Sequence, residues 1–139
     1  MTGYFIHELQ KERGLYSGYI GSNKQQFKEK FLNQQKIVNK YYKKTEKIIL
    51  SNNSFNKSAK QNILSNFQKI QNFRAKIINT DISFYIAIEI YNTMINELIN
   101  SIDDVVLIST NYKLSQSLSS YISLIKVKNY AGIKRGLLN

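Results

Sequence analysis

The chain has 139 residues, enough for one domain with a core of its own, and its 42% hydrophobic content is ordinary for a globular chain. Its formal charge of +11 attracts anions. The lack of cysteine excludes a disulfide framework and any cysteine metal site, and no apolar run approaches the roughly 18 residues of a membrane span.

With no proline anywhere and no glycine between residues 22 and 131, the usual helix breakers are missing, so helix is expected throughout. Residues 3 to about 50 read as one long helical stretch. Ile6, Leu9, Arg13, Tyr16 and Ile20 recur at spacings of three and four, and Phe27, Phe31, Ile37, Val38, Tyr41, Tyr42, Ile48 and Ile49 continue the pattern. Gly21-Ser22-Asn23 predicts a break within it. Ser51 to Ser54 predicts a turn, with Ser54 as N-cap.

A second helix runs to about Ile78 on the stripe Ile63, Phe67, Ile70, Phe73 or Arg74, and Ile77. Thr80 or Asp81 is the expected cap of the third, which carries Ile86, Ile90, Met94, Leu98, Ile102 and Val106 at strict fourth positions. A second seam, Tyr91, Ile95 and Ile99, widens that face. Asn111 is the expected cap of the fourth helix, across the weakest of the junctions, with Leu114, Leu118, Tyr121 or Ile122, and Ile125 as its stripe. The expected architecture is therefore all-α: residues 1–139 as a single up-down-up-down bundle of four helices, the first long, with both termini at one end. That layout suits a module inserted between two membrane spans.

The six glycines lie only near the two ends of the chain and form two Gly-x-x-x-Gly spacings, Gly14/Gly18 (followed by Gly21) and Gly132/Gly136. Glycine allows close approach of helices, and the spacing alone is as well explained by a close helix crossing. The arginines are equally selective. Seventeen of the twenty basic residues are Lys; the only arginines are Arg13, Arg74 and Arg135, of which Arg13 abuts the first glycine pair and Arg135 lies inside the second. Two guanidinium groups beside one crossing repel unless an anion or a carboxylate sits between them, and Arg suits planar oxyanions. Glu12 is the carboxylate that could neutralise Arg13 internally. Tyr16, Ser17, Tyr19 and Tyr130 offer hydroxyl donors nearby.

Catalytic signatures are thin. His7 is the only histidine and reads as a surface residue; Asp103 and Asp104 are adjacent and point to different helix faces; Glu8 and Glu12 share a face, where a salt bridge to Lys11 or Arg13 is the natural role. No residues show metal-ligand spacing, so neither catalytic residues, a metal nor a cofactor is expected. The tyrosines fall mostly on apolar faces (Tyr91 and Tyr121 among them), which argues for core rather than for a nucleic-acid stacking surface.

Residues Leu9 to Ser22, which include Glu12-Arg13-Gly14 and Gly18-Tyr19, closely resemble the opening motif of the NIT domain, the nitrate- and nitrite-sensing domain. Lys126 to Gly136, with Ala131-Gly132 and Arg135, resembles its second motif. Tyr91 to Ile95 and Ile70 to Arg74 resemble elements of the intervening helices, so the likeness spans nearly the whole chain in order. Two positions depart from the family: Lys134-Arg135 stands where Glu-Arg is usual, and Lys128-Asn129 where Lys-Glu is usual. Both changes remove negative charge beside the arginine.

The resemblance implies a non-catalytic helical sensor module of a bacterial signal-transduction receptor, of the chemoreceptor type, binding a small anion such as nitrate or nitrite. It maps the anion-sensing arginines onto Arg13 and Arg135, with Arg74 at a common family position; Tyr16 and Ser17 join them as expected ligand contacts. A homodimer is the expected assembly. The parent protein is expected to be membrane-anchored with an extracytoplasmic sensor, a cytoplasmic one being the alternative. A straight first helix puts Arg13 roughly 20 Å along the axis from the level of Arg135, at 1.5 Å per residue. A shared site therefore needs a break near Gly21-Ser22, a shifted bundle or a second subunit, and the break is the one expected. A ligand-free dimerisation bundle is the alternative reading, and a basic nucleic-acid-binding bundle a more distant one.

Overall fold

The computed structural model describes residues 2–53, 56–79, 82–108 and 112–138, with side chains for all of these but 2, 78, 79, 102–108 and 112–118. The described residues form five helices and no strand: α1 (Thr2–Gly21), α2 (Lys28–Ser51), α3 (Lys57–Asn79), α4 (Phe84–Ile108) and α5 (Tyr112–Leu138). The all-α reading holds, but the helix count is corrected. The expected first helix is two helices, and the break after Gly21 is a full reversal of the chain.

The sequence of the reversal explains it. Between Ile20 and Phe27 there is no apolar side chain to continue a helical face. Asn23, Lys24 and Phe27 all take left-handed backbone angles, with φ of 54°, 63° and 66°. The Ser22 hydroxyl fastens the turn, donating to the Tyr19 carbonyl at 2.9 Å and accepting from the Gln26 N–H at 3.0 Å. Phe27 then folds its ring over Gly18, where a Cβ would stand 3.2 Å from the ring.

The caps expected at Ser54, Thr80, Asp81 and Asn111 lie outside the described residues. At the head of α3 the Asn56 Oδ1 accepts the Ala59 N–H at 2.7 Å, and at the head of α4 the Ser83 carbonyl accepts from Ala87 at 3.1 Å.

The helices alternate in direction. Gln34 of α2 reaches back to Glu8, and Phe5 meets Tyr42, so α2 descends beside α1. Phe67 and Arg74 of α3 meet Phe5 and Glu12, so α3 ascends. Tyr91 of α4 meets Tyr16 while Lys69 of α3 meets Glu97, so α4 descends. In α5, Tyr121 lies against Gly3 and Asn129 against Arg13, so α5 ascends, parallel to α1. With an odd number of alternating helices, the start of α1 and the end of α5 lie at opposite ends of the bundle. That overturns the expectation that both termini share one end.

Helix α1 is the hub, packing on α2, α4 and α5. Phe5, Ile6 and Leu9 are wholly buried, and Glu8, Gln10, Glu12 and Arg13 are buried with them. In α4 the seam Tyr91, Ile95 and Ile99 lies at the centre of the core while Ile86, head of the expected fourth-position stripe, is 53% exposed. Met94 and Leu98 of that stripe are buried; a fourth-position run drifts by about 40° per step at 3.6 residues per turn, so Ile86, two steps before Met94, stands about 80° around the helix from it. Ile102 and Val106 of that stripe, and Leu114 and Leu118 of the last, fall outside the described side chains. Between the two candidates in α5, Ile122 is buried, whereas Tyr121 is 44% exposed and stands outside the core position given to it. Tyr4, Tyr85 and Tyr130 are exposed as well, and so are Ile37 and Ile48 of the expected first stripe, which α2 turns away from the core.

Candidate anion-binding site

Glu12 and Arg13 are neighbours on α1, so they face about 100° apart around the helix and enter different polar networks. Glu12 turns toward α3. Arg74 Nε donates to Glu12 Oε1 at 2.8 Å, and its Nη2 contacts Oε2, giving a bidentate ion pair in which both side chains are almost completely buried. The Tyr91 hydroxyl donates to the same Oε1 at 2.8 Å, and Arg74 Nη1 donates to Asn39 Oδ1 at 2.6 Å. Burial and the Glu12 charge both push the Tyr91 phenol well above its ordinary range. This network joins α1, α2, α3 and α4, and its charges cancel.

Arg13 turns the other way, toward α4 and α5. Its Nη1 donates to Asn92 Oδ1 at 2.6 Å and to Asn129 Oδ1 at 2.9 Å, while Asn129 Nδ2 donates to Asn96 Oδ1 at 2.8 Å. These partners are neutral amides. Among the described residues no carboxylate pairs with Arg13, because Glu12 is committed to Arg74 and Glu8 to Lys11 and Gln34. Arg13 is only 5% exposed, and burial, followed by the charge of Arg135, pulls its guanidinium down to about 10.

Beside it, between α1, α4 and α5, lies a cavity of about 280 Å³, partly open to solvent. Gln10, Arg13, Gly14 and Ser17 line it from α1, Ile88 from α4, and Gly132, Ile133, Arg135 and Gly136 from α5. No lining residue is acidic.

The glycines create this space. A Cβ at residue 132 would overlap Arg13 Nη2, so Gly132 admits the guanidinium against α5. A Cβ at Gly14 or Gly136 would meet nothing within 4 Å, so neither marks a close backbone crossing; both edge the void instead. The close-crossing explanation of the Gly-x-x-x-Gly spacings therefore fails in its simple form.

Of the five expected site residues, the fold brings Arg13, Arg135 and Ser17 to one cavity within a single chain. Arg135 is exposed, and its Nε donates to the Ala131 carbonyl at 3.4 Å. Tyr16 is instead a core residue, 2% exposed, with its ring 5.5 Å from Phe31 and 5.8 Å from Tyr91. Arg74 is spent on Glu12. The sequence reading missed Gln10, Asn92, Asn96 and Asn129. Gln10 was legible as the residue one turn before Arg13 and Gly14, and Asn129 as the residue one turn before Gly132.

A family model described as nitrate and nitrite sensing matches residues 4–139. No curated protein and no solved structure matches the chain.

Proposed function

The chain belongs to the nitrate- and nitrite-sensing family, whose members are sensory domains of signalling receptors, and from that premise we propose that the cavity between α1, α4 and α5 receives a small oxyanion held by Arg13 and Arg135. One observation carries this reading: Arg13 is a buried cation paired with no carboxylate among the described residues, facing a cavity whose described lining holds a second arginine and no acid. Burial and the charge of Arg135 both weaken the hold of that guanidinium on its proton. An anion in the cavity supplies the opposite charge that the amides around Arg13 do not. The cavity exceeds the ≈ 30 Å³ of a single water several-fold, so the anion enters with accompanying water.

Occupation draws α5 toward α1 and α4 by giving the two arginines a common partner, and it thereby favours one of two helix arrangements. The module is read as the extracytoplasmic sensor of a membrane-anchored receptor of the chemoreceptor type. It pairs with a second copy through the outer face of α5, where Leu124, Val127 and Leu138 are each more than 60% exposed; sedimentation across a concentration series tests the pairing. Calorimetric titration of the folded chain with nitrate, nitrite, formate and chloride tests the site. Nitrate or nitrite is expected to bind, and Arg13→Met to abolish the heat; silence from every anion overturns the reading.

A further inference from the structure

The cavity holds a polar group that neither arginine accounts for. Gln10 lies one helical turn before Arg13, is 9% exposed, and lines the cavity. Its amide nitrogen Nε2 is buried and has no hydrogen-bond partner in the protein. An orphaned buried donor costs about 1–3 kcal/mol, and a replacement such as Met or Leu would avoid that cost. Gln10 also stands at the wall of a second cavity of about 230 Å³ between α1 and α5, beside His7, Tyr121 and Lys128. Lys128 Nζ there contacts His7 Nδ1, and no described residue lining that cavity is acidic.

We propose, on the basis of the anion-binding reading above, that Gln10 is the third donor of the site and sets its preference for polyatomic oxyanions over halides. Residues 10 and 13 are neighbours on the helix surface, with Cβ atoms about 5–6 Å apart. Both residues line the cavity, and a turn of the Gln10 amide, whose nitrogen is buried, brings its donor to a guest at a point separate from the guanidinium. A planar oxyanion meets such a pair with two different oxygens, whereas a halide has one centre and satisfies one donor at a time. The neutral amide adds direction without adding charge, so the third contact discriminates by shape where the arginines discriminate by sign.

The test compares wild type, Gln10→Met and Gln10→Glu by calorimetry with nitrate, nitrite and chloride and by thermal melts with and without each anion. Gln10→Met keeps the side-chain length and removes the donor. It is expected to melt no lower than wild type without anion, to bind nitrate about tenfold more weakly or worse, and to lower the nitrate-to-chloride affinity ratio. A merely structural glutamine would not move that ratio. Gln10→Glu places a carboxylate one turn from Arg13 and is expected to lose its nitrate response while remaining folded; it decides the matter should the Met variant fail to fold. Wild-type nitrate affinity and an unchanged ratio in Gln10→Met, or a retained response in Gln10→Glu, overturn the assignment of Gln10 alone. A wild-type protein silent to all three anions overturns it together with the anion-binding reading.

Discussion

Asn129→Asp asks whether the missing carboxylate is what makes the cavity a receptor. Asn129 is 1% exposed, and its Oδ1 lies 2.9 Å from Arg13 Nη1. Aspartate has nearly the same shape, so the substitution places a charge at that distance with little repacking. At an effective dielectric of about 20, the attraction at 2.9 Å is roughly 6 kcal/mol. Desolvating the new carboxylate takes several kcal/mol back. The loss of the Asn129 hydrogen bond to Asn96 at 2.8 Å takes back about 1 kcal/mol more. The anion-free variant is therefore expected to be about as stable as wild type. The guest fares differently: an anion on the far edge of the guanidinium, about 6 Å from the new charge, meets a repulsion of roughly 3 kcal/mol, or about a 100-fold loss of affinity. Isothermal titration with nitrate and nitrite measures the loss, and circular dichroism and urea unfolding certify the fold. A folded Asn129→Asp protein that binds either anion as tightly as wild type refutes the idea that an uncompensated Arg13 drives recognition.

Three further outcomes are expected. Arg74→Met strands Glu12 in the core with the Tyr91 hydroxyl as its remaining partner; urea unfolding should show a loss of about 3–5 kcal/mol, while the protein that stays folded keeps its anion response. Gly132→Ala sets a helix-propensity gain of about 1 kcal/mol against the overlap of its Cβ with Arg13 Nη2, an overpacking cost of about 1–3 kcal/mol; stability should change little, and titration should show nitrate affinity falling about tenfold as the guanidinium is displaced. His7 is held below its ordinary 6.5 by burial first and then by the charges of Lys128 and Lys11, with Glu8 opposing. A base whose pKa is lowered by folding takes up its proton later in the folded chain than in the unfolded one, so stability should fall as pH drops below about 6.5. Thermal melts of His7→Gln should lose that decline between pH 6.5 and 5; an identical decline in the variant assigns it to other groups.

The opening and closing motifs were legible because they combine rare residues. Three arginines and six glycines in a lysine-rich chain single out their own positions, and helical spacing was enough to place Arg13, Ser17 and Arg135 beside the glycines. The amides of α4 were not legible. Nothing in a chain this rich in asparagine separates Asn92, which touches Arg13, from Asn62 or Asn100, which lie at a different groove. Tyr16 and Ser17 are adjacent hydroxyl residues, and only the packing of α1 against Phe31 and Tyr91 sends one ring into the core while the other residue faces the cavity.

By itself, then, the sequence determined that the chain is helical and where the polar ends of its core would be, since both depend on local properties: the absence of breakers and the three-and-four recurrence of apolar side chains. Tertiary structure alone decided which acid neutralises which base. Glu12 sits next to Arg13 in the chain but reaches Arg74, 62 residues away, because adjacent helical residues face different neighbours. That choice, together with the reversal at Ser22 that makes α5 run parallel to α1, leaves Arg13 buried and charged beside an open cavity, held by amides and by no carboxylate among the described residues.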